Sequence, residues 1–132
     1  MKHIRAFVTV VLAAHGLIHL IGFVVPWRIA TLDGFAYRTT AFGGQLSLGE
    51  TGAQILGLAW LAVAVGFLVA ATGIWRAAPW AVPMAGLLAV ASLAVCVLGL
   101  PETSAGIVVN LALLVGIAAV ALRPGRSAAR VA

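Results

Sequence analysis

Two histidines four residues apart interrupt an apolar stretch that reads Ala14-His15-Gly16-Leu17-Ile18-His19-Leu20-Ile21-Gly22-Phe23. On a helix, His15 and His19 then lie one turn apart on one face. Two imidazoles so placed can chelate a single metal ion, with Cys96 as a third ligand. A bis-histidine haem is harder to build, because the iron needs an imidazole on each side; one helix face supplies a single side, and a dimer would supply both. Metal, haem and quinone are the cofactor classes open to the pair. The plainer reading is structural: neutral imidazoles hydrogen-bonded to neighbouring helices hold those helices together. The partners on offer are Ser92 and Cys96, four apart and flanked by Ala85, Ala89 and Gly99, together with Asn110. Cys96 is the only cysteine, so it makes no disulfide within the chain, and its apolar surroundings suit a small buried side chain.

The elements that carry these residues follow from composition. The 132 residues are 64% hydrophobic and 8% charged, with a mean hydropathy of +1.18. A soluble domain carries about a quarter charged residues, and one of this size buries only ~60–70% of the surface it exposes unfolded. The solvent implied is a bilayer. A soluble enzyme, a disordered tail and a disulfide-stapled secreted domain are excluded. Four apolar runs, about 6–25, 53–74, 80–100 and 104–122, are separated by Pro26, by Arg76 to Pro79 and by Pro101. A helix needs about 20 residues to cross the hydrocarbon, which the first three runs meet and the fourth approaches. No run shows the alternation of a barrel strand. The expected fold is all-α: a single domain over residues 1–132, four transmembrane helices in an up-down-up-down bundle, with a long extracytoplasmic loop at 26–52.

Orientation is read from the loops. An N-terminus in the cytoplasm puts Lys2, Arg5, Arg76, Arg123, Arg126 and Arg130 inside, and only Arg28 and Arg38 outside with all three acids, Asp33, Glu50 and Glu102. Both termini are therefore expected in the cytoplasm of a bacterial cell, and the chain in its inner membrane. The first run is too long for a signal-peptide core and lacks a small-x-small site within reach, so it is expected to stay as a helix. The net charge of +5 is scattered over the ends of apolar runs, which fits lipid headgroups rather than nucleic acid.

Counting at ~1.5 Å per residue from Val25 puts His19 about 9 Å and His15 about 15 Å below the outer surface. The same count from Leu100 puts Cys96 about 6 Å and Ser92 about 12 Å down. Two layers are expected: His19 with Cys96 and Asn110 outside, His15 with Ser92 nearer the midplane. Ala62, Gly66 and Ala70 form a small-residue ridge for close helix packing or for a dimer face. Trp27, Trp75 and Trp80 fall at run ends, as an aromatic belt requires, while Trp60 is deeper. Gly43-Gly44 lacks the Lys and Ser/Thr of a phosphate loop and reads as an extracytoplasmic turn.

The string His15-Gly16-Leu17-Ile18-His19-Leu20-Ile21-Gly22-Phe23 resembles the opening of a group of small, uncharacterised bacterial four-helix membrane proteins. Gly57-Leu58-Ala59-Trp60-Leu61 and Gly106-Ile107-Val108-Val109-Asn110 are similar to that group's openings of the second and fourth helices. Leu100-Pro101-Glu102-Thr103 departs from its usual Trp-Asp-Ala-basic turn. The resemblance implies a fold and brings no activity. The expected function is a non-enzymatic accessory or structural membrane subunit, whose partners are the bilayer and another membrane protein or a second copy. The alternatives are a metal, haem or quinone site at His15 and His19, and a small oligomeric transporter. A proton-driven exporter's acidic coupling residue is missing from all four runs, which leaves the histidines as the only intramembrane relay.

Overall fold

The computed structural model describes residues 2–121, and within them the chain is all-α apart from one small hairpin. Helix α1 (Lys2–His19) is followed, after Leu20, by the single turn α2 (Ile21–Val24). The others are α3 (Gly49–Trp75), α4 (Ala81–Leu98) and α5 (Ser104–Ala121). Three stretches are long and apolar enough to cross a membrane: Lys2–Val24, Gly49–Trp75 and Ala81–Leu98. The apolar stretch of α5, Ser104–Ala119, is shorter. Arg123, Arg126, Arg130 and the expected helix end at 122 lie outside the described residues.

Helix boundaries differ from the apolar runs for local reasons. α1 takes in Lys2, His3 and Arg5, a polar first turn that hydropathy alone leaves out. α3 begins at Gly49 rather than near 53, because Glu50 in its first turn complements the positive end of the helix. Gly49 has φ +68°, a left-handed conformation that glycine adopts without a Cβ penalty and that turns the loop into the helix. α4 ends at Leu98, with Gly99 as its C-cap, two residues short of Leu100.

α1 lies against α3, α3 against α4 and α4 against α5, so the helices follow one another around an incomplete ring. α1 comes close to the α3 backbone at Gly16, where an added Cβ would sit 2.9 Å from the Ala64 carbonyl oxygen and 3.0 Å from Phe67 Cβ. Absence of a side chain there lets two backbones meet, as small residues do in membranes. Val63, Ala64, Phe67, Ala70 and Ala71 form the buried face of α3, and Leu12 and Ala85 complete that core from α1 and α4. The expected ridge holds only in part. Gly66 faces Leu88 and Ala70 is fully buried, but Ala62 is exposed. A stripe at i, i+4, i+8 rotates by about 40° per step on a 3.6-residue helix, which carries Ala62 off the contact.

The first loop folds over one end of the ring. Antiparallel strands β1 (Thr40–Ala41) and β2 (Leu46–Ser47) flank a tight turn in which Gly43 and Gly44 have φ +64° and +97°. The Gly43 amide donates to the Leu100 carbonyl at 2.9 Å, pinning the hairpin to the α4–α5 connection. Arg38 pairs with Glu102 at 2.7 Å across the same junction, and Arg28 pairs with Glu50. Arg28 also lies 4.6 Å over the Tyr37 ring; Tyr37 and Glu50 together hold its guanidinium above its ordinary pKa. Trp27 Nε1 donates to the Gln54 carbonyl at 3.1 Å.

Candidate functional site: a buried polar circuit beneath a cavity

His15, His19, Ser92, Cys96 and Asn110 come together in the ring, all at least 95% buried. Three helices supply them: α1 the imidazoles, α4 the hydroxyl and thiol, α5 the amide. Gly106 is part of the reason they can meet, since a Cβ there would lie 2.7 Å from Cys96 Sγ. Thr103 Oγ1 caps the Cys96 carbonyl just beyond.

Donor and acceptor roles follow from one fixed point. His19 Nδ1 is 2.8 Å from the His15 carbonyl, which can only accept, so Nδ1 carries a proton. No carboxylate or other charge stands in the group, and a neutral ring then leaves His19 Nε2 as an acceptor. Ser92 Oγ, 2.6 Å away, donates to it. Having given its proton, Ser92 Oγ accepts from Asn110 Nδ2 at 2.7 Å. Asn110 therefore presents Oδ1 to His15 Nε2, which donates to it at 3.1 Å. The second amide proton of Asn110 points to Cys96 Sγ at 3.7 Å. Proton donation runs one way, from His15 through Asn110 and Ser92 to His19 and back to the His15 carbonyl. The two rings hold opposite tautomers. Of the ring nitrogens in the circuit, only His15 Nδ1 is left with a lone pair and no hydrogen-bond partner among the described residues.

Pairing crosses the layers expected from residue counting: His19 binds Ser92, and His15 binds Asn110. Helix ends explain the first of these pairs. Ser92 precedes the end of α4 by six residues and Asn110 follows the start of α5 by six, so both lie about 9 Å inside their helices. Counting from Leu100 placed Ser92 too deep.

Two aromatic walls complete the site. The Phe67 ring stands edge-on to His15 at 4.9 Å and to His19 at 5.7 Å. Trp60 tilts against His19 at 4.9 Å, and its indole fills the place a Cβ on Gly22 would take. The spacing of Trp60 and Phe67, two turns apart on α3, was the signal that could have found them.

Above the circuit a cavity of about 320 Å³ separates α1 and α2 from α5, beneath the hairpin. His15, His19, Trp60 and Cys96 line its inner part, Ile18, Ala105 and Val109 its side, Arg38 and Glu102 its rim. Ala105 and Ile18 are exposed, so the cavity opens sideways between the first and last helices.

Among the described residues, no group of three or more His, Cys, Asp or Glu side chains is placed to hold a metal ion. Both ring nitrogens of His19 are engaged, and Cys96 faces the Asn110 amide rather than a shared centre. No protein-family model, curated protein or solved structure matches this chain.

Proposed function

We propose that the chain is a four-span protein of the bacterial inner membrane with both termini in the cytoplasm, and that it acts without catalysis as a small accessory or structural subunit. The closed hydrogen-bond circuit joining α1, α4 and α5 carries this reading. Three of its four bonds cross between helices and the fourth holds His19 to its own backbone, which is how a bundle fixes its packing where lipid gives no hydrophobic drive. α5 is the fourth span; at 18 residues, the length of α4, it extends about 27 Å, close to the hydrocarbon thickness. The resemblance to small four-helix membrane proteins agrees with this reading.

Two measurements test it. Gln45→Cys in a Cys96→Ala background should react with an impermeant maleimide from the periplasmic side alone; labelling from the cytoplasm overturns the orientation. Purified protein should be colourless and metal-free by absorption and elemental analysis, with His15→Ala and His19→Ala melting earlier. Stoichiometric metal or haem, lost in both variants, overturns the structural role.

A second reading has its own observation. The cavity ends on the histidine pair, at a size typical of small-molecule sites, so the same protein holds a ligand there.

A further inference from the structure

The cavity floor has a specific polarity, and polarity selects a ligand. We propose that the cavity binds a ring-sized, lipid-soluble molecule of the phenol or hydroquinone class, whose hydroxyl donates a hydrogen bond to His15 Nδ1. This rests on the ligand-holding reading above and adds the chemistry of the ligand.

The circuit leaves His15 as an Nε2–H ring, since Nε2 donates to Asn110 Oδ1 at 3.1 Å. Its Nδ1 is then an acceptor with no protein partner among the described residues. A donor satisfies it. A quinone carbonyl or a carboxylate brings a second acceptor and leaves two lone pairs opposed in a mostly apolar cavity, with neither satisfied. His19 offers nothing in competition, because both of its nitrogens are engaged. No proton or electron changes hands: the ligand O–H bond stays intact and the hydrogen bond is the whole interaction.

Size and access narrow the class. A volume of about 320 Å³ admits a substituted benzene ring and excludes a whole phospholipid. Its walls are mostly apolar, with the Trp60 indole and the His19 imidazole 4.9 Å apart beside the floor. The side opening past Ile18, Ala105 and Val109 faces where acyl chains run, so the ligand enters from the bilayer and any tail stays in it. At the rim Arg38 and Glu102 pair with each other at 2.7 Å, so the mouth shows no unpaired cation to draw an anionic head group.

The test compares probes of matched shape on nanodisc-embedded protein, with empty nanodiscs subtracting lipid partition. Tetramethylhydroquinone under anaerobic reducing conditions should bind saturably at one per chain, at least tenfold more tightly than tetramethylbenzoquinone. 2,6-Dimethylphenol should also bind saturably, since one hydroxyl suffices; its failure while tetramethylhydroquinone binds overturns the single-donor assignment. Ala105→Phe, at an exposed position on the cavity's side, should weaken binding at least tenfold with no change in melting temperature. On saturation the His15 Nδ1 resonance should move upfield while His19 stays put. Equal or tighter binding of the quinone overturns the donor assignment and spares the ligand-holding reading. Absence of saturable binding by all three probes, or indifference to Ala105→Phe, overturns both.

Discussion

Replacing Ser92 by alanine removes one oxygen atom at the point where three helices meet. That oxygen donates to His19 Nε2 at 2.6 Å and accepts from Asn110 Nδ2 at 2.7 Å. Loss of volume is negligible, so the effect is almost purely one of hydrogen bonding. Interhelical hydrogen bonds in membrane proteins average about 0.6 kcal/mol and reach about 1.7. Two of them give about 1–3 kcal/mol, and the upper half of that range is expected. Orphaning decides this, because His19 Nε2 loses its only partner in a fully buried site, whereas Asn110 keeps Cys96. Thr72→Ala is the matched control: its hydroxyl binds the Leu68 carbonyl of its own helix at 2.9 Å and joins nothing to anything else. That substitution should cost under about 0.5 kcal/mol. Reversible unfolding in mixed micelles, followed by tryptophan fluorescence, measures both. A Ser92→Ala loss no larger than that of Thr72→Ala refutes the circuit as a source of stability. A double-mutant cycle with Asn110→Ala adds a second check, since members of one network are non-additive and independent sites are additive within about 0.5 kcal/mol.

Gly16→Ala should destabilise by about 1–3 kcal/mol, because the new methyl meets the Ala64 carbonyl oxygen, a backbone atom that cannot turn aside. Gly116→Ala, where nothing lies within 4 Å, should be neutral or mildly stabilising in the same unfolding assay, and an equal loss at both sites would refute the close α1–α3 approach. Cys96, 1% exposed, should resist maleimide in folded protein and react promptly after denaturation; rapid native labelling would contradict its burial. Glu102→Ala should change stability by less than about 1 kcal/mol, since its ion pair with Arg38 is partly open to solvent, and a larger loss would mean that the rim pair holds the fold together.

The sequence showed most of the helices and all five polar residues of the circuit, because both signals are strong in an apolar chain. Charged and amide groups are costly in lipid, so those inside apolar runs point to one another almost by elimination. It did not show who pairs with whom. Depth in a sequence can be measured only from the ends of apolar runs, and those are not helix ends: α4 stops at Leu98 although the run continues to Leu100. Rotation about the helix axis is also hidden: Ala62 shares its spacing with Gly66 and Ala70, yet it is exposed. The cavity had no sequence signal at all. It arises because α1 and α5 stay apart and are joined by the reach of His15 to Asn110, a long-range fact that no local pattern encodes.

The circuit makes one more claim, and it is about two rings of the same residue type on the same face of one helix. In water a neutral imidazole favours the Nε2–H form modestly, and identical settings would give His15 and His19 the same tautomer. Here the backbone fixes His19 as Nδ1–H, and three further bonds carry that choice to His15 as Nε2–H. Nitrogen-15 shifts of ring-labelled protein separate the two forms directly, with His3 outside the circuit as reference. Ser92→Ala cuts the chain between them, so His19 should stay Nδ1–H, held by the carbonyl, while His15 is freed from the instruction passed through Ser92. Matching tautomers in the intact protein would mean that the amide of Asn110 is turned the other way, and the direction of every donor from His15 to Ser92 would have to be reversed.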